Sequence, residues 1–269
     1  MTEESASAAV PGLLADLTAL GPYFAVDVHR PGAPPRPPWQ PLGELTGSPD
    51  ALAARIGEVR ERLAAAAGCP PASVEFRVAA SIAQLGLCAR LLSPALGAAA
   101  LGQALPVDTA QARWVPALGG PFRLSLPAST AEASTAEAST AEASTAEAST
   151  AEASTAEAST AAGTAAIGEL LAGPVAQIVR VVEAMAVSPQ VLWGNVASAV
   201  NGAATMIAAA RPHLTDAAAE AAAAILTYPA LTGTYQGRPL AGFRRGNCCL
   251  IYRLSPERPA YCGDCVLGQ

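Results

Sequence analysis

Apolar positions recur at helical spacing through most of the chain. Leu13, Leu14, Leu17 and Leu20 put one stripe on a helix over residues 5–20, which Gly21-Pro22 ends. Residues 23–29 alternate and predict a short strand. Ser48-Pro49-Asp50 has the form of a helix start, a cap residue followed by proline in the first turn. That helix should run to about Ala67 and close at Gly68. Another is expected from after Pro70-Pro71 to Leu92. Its run over residues 78–92 is apolar on most faces, which implies burial, and a short Ala/Leu helix should follow it. Arg113-Trp114-Val115 and residues 122–126 predict strands or extended segments. Helical spacing resumes over residues 164–187 through Ile167, Leu170, Leu171, Val175, Ile178, Val182 and Met185. Ser188-Pro189 then opens a helix continuing towards Ala210, and residues 212–226 predict the last one.

Two stretches break this pattern. Pro31, Pro34, Pro35, Pro37, Pro38 and Pro41 should exclude helix and sheet and favour polyproline geometry, either as a partner-binding ligand or as a loop anchored by Trp39. From Ala128 the pentad Ala-Ser-Thr-Ala-Glu repeats without variation. A helix turns about 100° per residue, so successive pentads would carry their glutamates to every face and leave no apolar stripe. Residues 128–162 therefore read as a linker or insertion with no part in chemistry. Within residues 189–210, Gly194, Ala197, Ser198 and Gly202 form a face of small residues that would admit a second backbone closely. Asn195 beside it reads as a buried, hydrogen-bonded helix residue rather than a catalytic one.

Composition narrows the chemistry. The repeat's six glutamates account for the whole formal charge of −6, so acidity says nothing about partners, and no basic stripe marks a nucleic-acid surface. All sixteen basic residues are Arg. Without Lys there is no Walker-type phosphate loop, Schiff base or lysine base, and no Gly-x-Gly-x-x-Gly follows a strand-like run. The N-terminus lacks the basic and apolar regions of a secretory signal, and no run of eighteen apolar residues occurs. The expectation is a cytoplasmic protein without a transmembrane segment, which leaves peripheral membrane association open. His29 and His213 have no nearby ligand partner and receive no role. Cys69 and Cys88, isolated from the other cysteines, are expected to be core thiols.

The remaining four cysteines crowd the C-terminus: Cys248-Cys249, twelve residues, then Cys262-Gly263-Asp264-Cys265. Packing does not explain four thiols in so short a segment, and three chemistries compete for them. A vicinal disulfide is strained and out of place in a reducing compartment. Structural zinc takes four cysteines, usually from two knuckles with residues between each pair of sulfurs. A [2Fe–2S] cluster divides its ligands between two irons, so adjacent sulfurs pointing in different directions suit it better. Arg244 and Arg245 just before the first cysteine, and Arg253 after the second, would offset the negative charge of such a centre. A solvated surface role is the alternative for these arginines, and it is strongest for Arg253.

These residues carry a resemblance. Arg244-Arg-Gly-Asn-Cys-Cys-Leu-Ile-Tyr-Arg-Leu254, followed by Cys262-Gly-Asp-Cys-Val-Leu267, is similar to the C-terminal signature of the FhuF-like ferric siderophore reductases. Leu192-Trp-Gly-Asn-Val-Ala-Ser-Ala199, residues 80–94 and Arg113-Trp-Val-Pro116 also resemble segments of that family. The chain departs from it in the twelve-residue interval between cysteine pairs and in Gly246-Asn247 before Cys248. The resemblance implies one [2Fe–2S] cluster on Cys248, Cys249, Cys262 and Cys265, in a cytoplasmic ferric siderophore reductase. One electron would pass from an external donor to Fe(III) held in a siderophore, releasing Fe(II). Arg244, Arg245 and Trp193 are further candidates for bordering the cluster. An iron–sulfur electron carrier or iron-responsive binding protein, and a zinc-stabilised helical binding module, remain open beside it.

The expected fold class is mainly α, a helical body with a few short strands and an irregular C-terminal iron–sulfur-binding segment. Its expected divisions are an N-terminal helical lobe (1–127), the repeat (128–162), a second helical lobe (163–242) and the cysteine segment (243–269).

Overall fold

A computed structural model describes residues 12–128, 162–254 and 261–267. The repeat lies almost wholly outside these, as do residues 5–11 of the first expected helix. Seven α-helices account for most of the described chain, with a few short strands, so the mainly-α class holds.

Helix α1 spans residues 12–19. It is followed by strand β1 (Asp27–His29), strand β2 (Gln40–Pro41), helix α2 (Leu42–Gly47) and helix α3 (Pro49–Ala67). The α3 start follows its local chemistry: Ser48 Oγ accepts the Ala51 N–H at 3.3 Å, and Pro49 occupies the first helical position. Its end follows too, with Gly68 in the left-handed conformation at φ 66°.

Helix α4 (Phe76–Ala100) corrects an expectation. It does not stop at Leu92 but runs through Pro94, absorbing the short helix predicted after it. A proline inside a helix costs about 3 kcal/mol. Every residue from Leu91 to Ala100 is buried, and that apolar burial outweighs the cost.

Strands β3 (Arg113–Val115) and β4 (Arg123–Pro127) appear where expected. They join β1 and β2 in a four-stranded sheet of order β1-β4-β3-β2, in which only β1 and β4 are parallel. Two departures occur here. Gln40 and Pro41 pair antiparallel with Trp114 and Arg113, so sheet does enter the proline-rich segment, at its far end. The Arg123 guanidinium lies 4.8 Å from the ring centroid of Trp39 and holds the loop by a cation–π contact. The strand expected over residues 23–29 shortens to three residues. Its earlier carbonyls are taken by Arg90 of α4, whose guanidinium donates to the carbonyls of Tyr23, Ala25 and Phe122. Arg90 is 1% exposed, and burial lowers its pKa to about 10.

The second half supplies helix α5 (Ala162–Glu183), helix α6 (Pro189–Ala210) and helix α7 (Thr215–Leu226). A wide turn over Leu171–Val175 accommodates Gly173-Pro174 inside α5. One hydrophobic cluster joins residues from both halves, with α4 and α6 packed side by side at its centre. By length and composition α4, α5 and α6 are long and apolar enough to cross a bilayer. The apolar windows of α4 and α6 are 78% and 56% buried within the protein, that of α5 39%. Cys88 is a core thiol as expected, whereas Cys69 lies half-buried just past the end of α3.

Candidate functional site

After α7 the chain makes a hairpin that the sequence pattern did not predict, strands β5 (Tyr235–Arg238) and β6 (Ala241–Arg245). Tyr235 and Phe243 stack across it, their ring centroids 5.4 Å apart. Alternation along β6 leaves Arg244 exposed and turns Arg245 inward to 1% exposure. The four cysteines follow directly.

Helices α4 and α6 seat this segment. The small-residue face of α6 is where it lands. A Cβ built on Gly194 would lie 3.5 Å from Arg245 Nη2 and 3.9 Å from Asn247 Cβ, so a larger side chain would displace both. One turn on, Ser198 Oγ donates to Asp264 Oδ2 at 2.6 Å. From α4, Ser81 Oγ donates to the Cys249 carbonyl at 2.8 Å. The Arg245 backbone N–H donates to the Asp264 carbonyl at 3.0 Å, joining the two cysteine pairs. At the rim, Arg253 on the short turn Ile251–Leu254 binds both Glu75 oxygens at 2.7 and 2.9 Å.

Beneath the cysteines lies a buried polar network. Asn195 of α6 is fully buried, as expected. Its Nδ2 donates to the Ser81 carbonyl at 2.9 Å and to Gln84 Oε1 at 2.8 Å, and its Oδ1 accepts from Arg245 Nη2 at 2.5 Å. Gln84 Nε2 in turn donates to Cys88 Sγ at 3.1 Å. Arg245 Nε donates to the Asn247 carbonyl at 3.0 Å, but its Nη1 is buried without a hydrogen-bond partner. A buried cation with an unmatched donor costs several kcal/mol unless an anion completes it. The positive charge of Arg245 favours the thiolate forms of Cys248 and Cys249.

The sulfurs themselves bear on what they could hold. Cys249 and Cys262 Sγ atoms lie 3.7 Å apart. That is far too long for a disulfide, whose sulfurs are about 2.05 Å apart. It matches the edge of a tetrahedron: two thiolates at about 2.3 Å from one ion lie about 3.8 Å from each other. Three of the sulfurs also receive the amide two residues on. Leu250 N–H donates to Cys248 Sγ and Leu267 N–H to Cys265 Sγ, each at 3.3 Å, and the Ile251 amide favours the Cys249 thiolate. Contact with the Cys262 thiol lowers the pKa of Cys249, and the same contact raises that of Cys262. Burial raises Cys248. Among the described residues no three metal-binding side chains are gathered tightly enough to be a finished ion site. The donor set, amide bonds and unmatched cation nonetheless fit an anionic thiolate-bound centre.

The other sequence candidates fare differently. Trp193 packs its ring against Tyr228, centroids 6.1 Å apart, with no described contact to the cysteines. Arg244 faces solvent. Ser81, Gln84 and Asp264 were not singled out from the sequence, and Ser198 only as part of the small-residue face of α6. A signal was present, because Ser81, Gln84 and Cys88 recur at helical spacing as the polar stripe of an otherwise apolar helix. Comparison with family profiles, curated proteins and solved structures returned no match to this chain.

Proposed function

We propose that the protein is a cytoplasmic iron-chelate reductase whose C-terminal segment holds a [2Fe–2S] cluster on Cys248, Cys249, Cys262 and Cys265. The observation that carries this reading is a fully buried arginine, Arg245, with an unmatched Nη1 beside cysteines that already accept backbone amides. The cluster would supply single-electron transfer, taking one electron from an external donor and giving one to chelated Fe(III). The chain's own residues prepare for that change of charge. Amide donors and the Arg245 guanidinium favour the more negative state, because each interacts more strongly as negative charge on the sulfurs grows. Asn195 fixes the guanidinium plane, while Ser81 and Ser198 hold the two cysteine pairs to separate helices. Helices α4 and α6 thereby hold one cysteine pair each. On the substrate side, hard oxygen donors hold Fe(III) far more tightly than the larger, less charged Fe(II), so one electron suffices to loosen the iron.

The test is anaerobic. Protein purified without oxygen should absorb in the visible and contain about two irons per chain. After reduction and removal of excess reductant, mixing with a panel of ferric siderophores should restore the oxidised spectrum. A colourless protein with stoichiometric zinc, or a reduced centre that no ferric chelate oxidises, refutes the proposal.

A further inference from the structure

An electron acceptor must reach the cysteine segment, and the surface beside it is shaped to admit one. A groove of about 730 Å³ runs between α4 and α6 beneath the hairpin. Leu85, Ala89, Ala199, Met206 and Phe243 give it apolar walls, and Gly263 and Asp264 also line it. Those two residues are the whole interval between Cys262 and Cys265, so a guest in the groove adjoins that knuckle. The volume lies within the usual range for small-molecule sites, roughly 300–1,000 Å³. Its charge is one-sided. Asp264 in its lining is half-buried, its carboxylate held by Ser198, and no Arg or His lines the groove among the described residues. The chain has no Lys to reach in from elsewhere.

We propose that this groove seats the ferric chelate and selects it by charge, admitting neutral or cationic complexes and disfavouring strongly anionic ones. The inference rests on the reductase reading and adds where the acceptor binds and which charge it carries. The apolar walls take the chelator's carbon skeleton, and Asp264 attracts a cationic group or repels an anionic one. The repulsion is between partly exposed charges, so selectivity should fall as salt rises.

Gallium(III) in place of iron makes the probe redox-inert, which separates binding from electron transfer. The probes are a gallium trihydroxamate carrying one free ammonium group, net charge +1, and a gallium tris-catecholate, net charge −3. Titration calorimetry on the intact, anaerobically purified protein should show the cation binding at least about tenfold more tightly than the trianion. Asp264→Asn, which keeps the side chain's size beside Ser198, should reduce that preference. Gly202→Leu should weaken binding of the cationic probe by about tenfold or more. Gly202 lines the groove, a Cβ there meets nothing within 4 Å, and leucine favours helix, so the variant should fold normally. Equal binding of the two probes, or unchanged binding in Gly202→Leu, overturns the proposal. The two readings fail separately. Should ferric chelates oxidise the reduced protein while Gly202→Leu binds the cationic probe like the parent, the groove is wrong and the reductase stands. Should that probe bind as expected while no ferric chelate oxidises the protein, the groove stands and the reductase falls.

Discussion

Replacing Asn195 by alanine tests whether the buried network is the scaffold of the cysteine segment. The side chain is fully buried and joins α6 to both α4 and Arg245. Its removal leaves Gln84 Oε1 without that donor, at about 1–3 kcal/mol for a buried neutral group. It also removes the acceptor for Arg245 Nη2, a bond to a charged donor worth about 1.5–3 kcal/mol. Nη1 is already unmatched, and Nη2 would keep only the Val191 carbonyl at 3.5 Å. Alanine's better helix propensity returns about 0.5 kcal/mol. The net loss should be about 2–5.5 kcal/mol, large against the 5–15 kcal/mol typical of a folded domain.

Urea unfolding of the metal-free, reduced protein, followed by far-ultraviolet circular dichroism, measures this. With a slope of about 2–3 kcal/mol per molar, the midpoint should fall by about 0.7 M or more. Asn201→Ala is the internal control. Asn201 lies on the same helix but is half-exposed and accepts one bond, from the Leu240 N–H at 3.1 Å, so it should cost about 0.5–1.5 kcal/mol. A second readout follows from Ser81, which touches both Asn195 and the Cys249 carbonyl. Metal-loaded Asn195→Ala should surrender its metal to a chelator faster than Asn201→Ala. A loss below about 1 kcal/mol, or equal metal retention in the two variants, would show that the network does not carry the segment.

Cys248→Ser and Cys265→Ser should each abolish the visible absorption of the anaerobically purified protein, whereas Cys69→Ser and Cys88→Ser should retain it; a normal spectrum in Cys265→Ser refutes the ligand set. Burial pushes the Cys88 thiol up to about 12, so it stays protonated and unreactive until pH approaches that value. In native protein at pH 8, iodoacetamide should therefore label Cys69 and spare Cys88 until denaturant is added, as read by mass spectrometry; rapid native labelling of Cys88 would contradict its burial. Gly246→Ala should destabilise the hairpin and cysteine segment, because its Cβ would come within 3.0–3.1 Å of the Gly233 and Thr234 backbone. Gly194→Ala should be tolerated, since its nearest contact is a side-chain nitrogen at 3.5 Å and alanine favours helix; thermal melts of the pair, with equal midpoints, would sink this contrast.

What the sequence disclosed divides along physical lines. The α3 boundaries were readable because cap and stop act within a few residues, through Ser48 and Gly68. The passage of α4 through Pro94 was not, because its reason is burial among segments distant in sequence. The same holds for residues 23–26, where carbonyls that a strand would have used go to Arg90, some 65 residues away. The hairpin was missed because Gly237, Gly242 and three arginines leave β5 and β6 without an apolar alternation. In the site, residue types were legible and partners were not. The small face of α6 announced a close approach by another backbone, but nothing local said that the cysteine segment itself is what approaches.

Arg245 shows how far that residual ambiguity can be reduced by the fold. Sequence order makes Arg244 and Arg245 equivalent candidates beside the cysteines. The strand separates them: β6 exposes the first and buries the second against α6. Burying a guanidinium is unfavourable by several kcal/mol unless its donors and charge are met, and paired carboxylates are the usual remedy. No described carboxylate pairs with Arg245; its partners are an amide and main-chain carbonyls, and one nitrogen has none. Four thiolates around a metal centre would supply such a negative charge, since their summed charge exceeds that of a zinc ion or of an oxidised [2Fe–2S] core. An arginine at this position is thus costly in the metal-free chain and favourable once such a centre forms. That difference would couple formation of the centre to the final closure of hairpin, cysteine segment and helix α6.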